Sequence, residues 1–187
     1  MTKVFELPNF PYKSFKQLQE AEKARKIIIG VDKTVAREWM VRGKRSASFW
    51  RTIGLLLHLV PHLLSLGIII YSILSKEWLL LLLIIPIEFS ATIFIPLVII
   101  MGPSIYFILT GQFILLLFVA TTFTIAFFSV KILYRLSSDL MRTAALNNEE
   151  FLNFLYEKGC LSILSYETGE IFKKGATETE DADTFIF

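Results

Sequence analysis

Residues 52–74 read TIGLLLHLVPHLLSLGIIIYSIL, and this run decides the class of the protein. It contains no acid, no Lys and no Arg. At ~1.5 Å of rise per residue, a helix of this length covers the ~30 Å of hydrocarbon in a bilayer. The pattern continues outward: between Arg51 and Lys131 the charged side chains are Lys76, Glu77 and Glu88 alone. The block predicts an all-α integral membrane protein, a polytopic helical bundle of three to four membrane segments. Composition agrees, because a chain that is 54% hydrophobic carries more apolar character than an ordinary soluble domain.

Charge is distributed unevenly about that block. Residues 1–51 hold twelve Lys and Arg against five acids, whereas residues 131–187 hold six against ten. Arg37, Arg42, Lys44, Arg45 and Arg51 stand immediately before the first span, and clusters of this kind stay on the cytoplasmic side. The N-terminus is therefore expected in the cytoplasm. Residues 1–15 are too polar for a cleavable signal, so the first span is expected to act as an uncleaved anchor.

Four regions follow: a basic, amphipathic N-terminal region over 1–50; a transmembrane domain over 51–134, with spans near 52–74, 78–101 and 104–133; a C-terminal helix and small hairpin over 135–175; and an acidic, flexible tail over 176–187. Between Trp78 and Val130 the path forks. Two simple helices meeting at Gly102-Pro103-Ser104 leave Lys131, Arg135 and Arg142 outside, against the positive-inside bias. A broken or re-entrant segment bending at Pro86–Thr92 returns the C-terminus to the cytoplasm, as do four short spans with turns near Ile95 and Gly111. A cytoplasmic C-terminus fits the charges better.

Both flanks carry apolar faces. Ile28, Val31, Val35 and Trp39 recur at three- and four-residue spacing, which predicts an amphipathic helix lying on its own protein, on a partner or on anionic lipid headgroups, with Asp32 as a cap for its second half. Asn147-Asn148-Glu149-Glu150 reads as the capped start of a helix that Gly159 stops. On it, Phe151, Leu152, Phe154 and Leu155 form a greasy face suited to docking. Leu161–Tyr166 and Glu170–Phe172 flank Glu167-Thr168-Gly169 as a small hairpin. The acidic tail ends Phe185-Ile186-Phe187.

Chemistry-bearing residues are few. Glu88 is a carboxylate within the apolar block, where such groups face protein or water, and a simple hairpin sets it at the depth of His62. A His62–Glu88 bond would glue helices or share a proton. His58 and His62 share a helical face, but Pro61 lies between them and the chain has no third His and no Cys pair, so neither haem nor metal is expected there. No nucleophile–base arrangement, phosphate loop or nucleic-acid motif is legible. Cys160 is the single cysteine, hence a free thiol. The expected function is that of a non-catalytic membrane subunit or assembly scaffold, with other membrane subunits as partners and no cofactor. The alternatives are a proton- or ion-conducting component using Glu88 and His62, or a membrane-shaping hairpin protein.

Overall fold

A computed structural model describes residues 4–7, 10–42, 48–88 and 94–174, except for the side chains of Pro86, Glu88 and residues 94–99. The chain divides into two units, Met1–Arg42 with Leu136–Phe187, and Gly43–Arg135.

The first unit begins with a 3₁₀ turn, Val4–Glu6, followed by α1, Phe15–Lys23. Ser14 caps α1 by accepting from the Gln17 N–H at 3.3 Å, and the Gln17 side chain accepts from the Lys13 N–H. At its end Arg25 adopts φ 56°, while the Lys26 N–H reaches the Ala21 carbonyl at 2.9 Å. That turn launches β1, Ile27–Val31. Next come α2, Lys33–Arg42, and, after the membrane block, α7, Glu149–Glu157, then β2, Leu161–Ser165, and β3, Ile171–Lys173.

The chain is mostly helical, as expected, but it is not all-α. A three-stranded antiparallel sheet, in the order β1-β2-β3, ties the N-terminal segment to the C-terminal one. Ile27 pairs with Ser165, Ile29 with Ile163 and Val31 with Leu161. The ladder runs on at both ends, where the Asp32 N–H donates to the Cys160 carbonyl and the Tyr166 N–H to the Lys26 carbonyl. The single amphipathic helix over Ile28–Trp39 is therefore replaced by a strand and a helix. The physical reason is that three consecutive isoleucines and a valine suit a pleated, half-buried surface better than a helix, once Leu161–Ser165 is available as a partner. Asp32 does cap the helix that follows, its Oδ1 accepting from the Thr34 and Val35 N–H groups at 2.9 and 3.0 Å.

Ile27, Ile29, Ile163, Leu155, Met141 and Ala145 meet in the core of this unit. The Val4 N–H donates to the buried Asn153 Oδ1 at 3.0 Å, and Phe10 sets its ring edge-on to Phe172 with centroids 5.0 Å apart. Gly159 ends α7 at φ 70°, a conformation any Cβ would strain, with the Cys160 N–H on the Leu155 carbonyl.

The second unit holds α3, Ser48–Ser75, a 3₁₀ segment Trp78–Leu83, α4, Ile84–Glu88, α5, Phe94–Leu109, and the first part of α6, Phe113–Asn147. The 3₁₀ segment packs on α3, α4 and α5. Ile68, Leu80, Leu83, Ile87, Phe107 and Val119 form its core.

Two helices, α3 and α6, are long and apolar enough to cross a membrane, and only 22% of each apolar stretch is buried. A core helix of a soluble protein hides most of its surface. These two instead expose side chains such as Leu74 at 78% and Ile114 at 85%. The helix α3 runs somewhat past 52–74 at both ends. The region read as spans 78–101 and 104–133 is cut differently. Among the described residues, 78–101 is divided between the 3₁₀ segment, α4 and the start of α5, and Pro103 lies inside α5. The chain turns at Gly111 instead, with φ 70° and the Gln112 N–H on the Phe107 carbonyl at 2.8 Å. Apolar helices tolerate an internal proline where neighbouring groups take up the freed carbonyl, so the Gly-Pro-Ser signal did not mark a loop.

Candidate functional site

Helical spacing does bring His58 and His62 together on α3. Their rings meet edge to face with centroids 5.5 Å apart, His58 half-buried and His62 exposed. Two imidazoles in this arrangement can each accept or donate a proton. Glu88 closes α4, but its side chain lies outside the described residues, and so does the His62–Glu88 contact; residues 89–92 of the expected bend do too. Among the described residues no group of three or more His, Cys, Asp or Glu could hold a metal ion.

The docking residues separate by burial. Leu155 is buried in the core of the first unit, and Val31, Val35, Trp39 and Phe151 pack against that core. Trp39 meets Phe151 with ring centroids 5.8 Å apart, so α2 and α7 use these side chains on each other. Ile28 is half-buried on the opposite face of β1 from Ile27 and Ile29. Phe154 is exposed. The acidic tail and Phe185-Ile186-Phe187 lie outside the described residues.

Pairing of the distant segments assembles a polar cluster that spacing alone could not have found. Lys26 Nζ lies 2.8 Å from Glu167 Oε1, both half-exposed, and that hydrogen bond and charge raise the lysine pKa. Beside them the Tyr12 hydroxyl is pushed above its ordinary range by burial and by the Glu167 carboxylate, while the Ser165 hydroxyl and Lys26 pull it the other way. Cys160 is also raised, first by burial and then by Asp32, with Lys158 opposing. A thiol held protonated in this way is a poor nucleophile at neutral pH.

On α6 the apolar stretch ends at Lys131, whose ammonium sits 4.8 Å from the centroid of the Phe127 ring. Arg135 follows one turn on, exposed like Lys131. The signal was present in the sequence as two cations spaced i, i+4 behind an apolar run.

No family model, curated protein or solved structure matches the chain.

Proposed function

We propose that the protein is a non-catalytic, multi-pass membrane subunit or assembly scaffold that presents one cytoplasmic head built from both segments flanking its spans. The observation that carries this reading is the antiparallel pairing of Ile27–Val31 with Leu161–Ser165. A strand before the membrane block can pair with one after it only if both lie on the same side of the bilayer. The number of complete crossings between them is then even.

With α3 and α6 as the two crossings, the intervening segment enters and leaves from the far face. Its lengths support that path. The six residues of the 3₁₀ segment rise ~12 Å, the five of α4 ~8 Å and the sixteen of α5 ~24 Å, each below the ~30 Å of hydrocarbon. The basic cluster ahead of α3 and the pair Lys131 and Arg135 on α6 then fall on one side, the cytoplasmic one.

Scaffolding follows from what the molecule offers: apolar helices for lipid or neighbouring helices, and a closed head in the cytoplasm with Phe154 outward. Gentle-detergent purification of the tagged protein from its native membrane, with mass spectrometry of co-migrating chains, tests the reading. Other membrane proteins in stoichiometric amount are the expected result; a homogeneous preparation of this chain alone overturns it.

A further inference from the structure

We propose that Lys131 and Arg135 on α6 form a binding site for the phosphate of an anionic phospholipid headgroup in the cytoplasmic leaflet. The inference rests on the reading in which α6 crosses the bilayer with its C-terminal part in the cytoplasm.

The apolar run Phe113–Val130 supplies eighteen residues, ~27 Å of helix, so Lys131 falls at the edge of the hydrocarbon. Side chains on a helix lean towards its N-terminus, here towards the bilayer interior. The Lys131 ammonium accordingly lies back over Phe127. A cation held at that depth lacks part of its hydration and is drawn to an anion at the same level.

Arg135 lies one turn on, on the same face of α6. Neither side chain has an ion-pair partner among the described residues. Asp139, the next acid along the helix, lies 3.5 Å from Arg142. Two like charges one turn apart repel, and an anion between them reverses the sign of that interaction. The bilayer supplies such an anion at this depth in the phosphate of its own headgroups. Arg contributes a planar fork and Lys a compact charge, a combination suited to a phosphodiester. A zwitterionic headgroup brings its own cation and competes poorly.

The test is native mass spectrometry of the full chain in neutral detergent, with phosphatidylglycerol or phosphatidylcholine of the same acyl chains added. The expected result is retention of phosphatidylglycerol about thirtyfold over phosphatidylcholine, a preference of the size two membrane-level cations provide. Lys131→Gln with Arg135→Gln should abolish that preference, and Lys131→Arg with Arg135→Lys should keep most of it. Lys13→Gln with Lys16→Gln removes equal charge elsewhere and should leave it unchanged. Equal retention of the two lipids overturns the site, as does an unaltered preference in the first double variant, or an equal loss in the Lys13 and Lys16 control. Unaltered size-exclusion elution is the check that each variant is folded. Release of the wild-type protein from membranes by alkaline carbonate would be a separate failure, that of the spanning reading itself.

Discussion

One carboxylate, that of Asp32, has two consequences in the first unit. It caps α2 through two backbone N–H groups, and it raises the pKa of the Cys160 thiol, second in effect only to burial. The two roles separate by substitution. Asp32→Asn keeps an oxygen able to cap but removes the charge, so the thiol pKa should fall while stability holds. Asp32→Ala removes both and should lower stability by about 1 kcal/mol. A raised pKa means that thiolate forms only at more alkaline pH than for an ordinary cysteine. The rate of Cys160 alkylation against pH should therefore inflect above the usual thiol range in the wild type and move towards acid in Asp32→Asn. Because burial is the larger cause, the shift should be partial. Identical profiles would show that the carboxylate does not act on the thiol. At the same scale, the packing of Lys131 on Phe127 is legible in the sequence as an i−4 neighbour, whereas Tyr12 beside Ser165 depends on contacts between remote segments.

Among the elements, the central strand β2 is buried along its whole length, and Ile163 is fully enclosed opposite Ile29 and Phe172. Ile163→Asp places an unpaired charge there, a loss of several kcal/mol. We expect it to make residues 10–42 and 149–174 protease-sensitive while α3 and α6 stay resistant to carbonate extraction. Protection of those residues in the variant would contradict the role given to β2. The elements that local chemistry determines were readable beforehand. Asn148 caps α7 by accepting from the Phe151 N–H at 2.9 Å, Gly159 ends it, and Gly169 adopts φ 70° in the hairpin turn. β1 was not readable, for a definite reason. Ile28, Val31, Val35 and Trp39 fit a helical stripe by coincidence, yet in the strand Ile28 and Val31 point to opposite faces. The partner that decides between the two periods begins only at Leu161. Pro103 misled in the other direction, because it marks a turn in soluble chains and is accommodated inside an apolar helix.

For the whole molecule, the proposal of an even number of crossings is open to direct test. Single cysteines at Thr34 and Thr168, in a Cys160→Ser background, should react with a membrane-impermeant maleimide from the same side, and cysteines at Ser75 and Thr110 from the other. Opposite sides for Thr34 and Thr168 would exclude the paired head in the membrane-inserted protein. The pairing also has a consequence in time. About 130 residues separate β1 from its partner, and at ~5–20 residues per second the ribosome needs roughly 6–26 s to make them. In the proposed topology, Ile27, Ile28 and Ile29 stand in the cytoplasm throughout that interval without the strand that pairs with them. A chaperone has that long to hold the segment, and a protease has that long to find it. In that topology, a chain whose last span failed to insert would never pair the three isoleucines, and the nascent protein would carry its own mark of incomplete membrane integration.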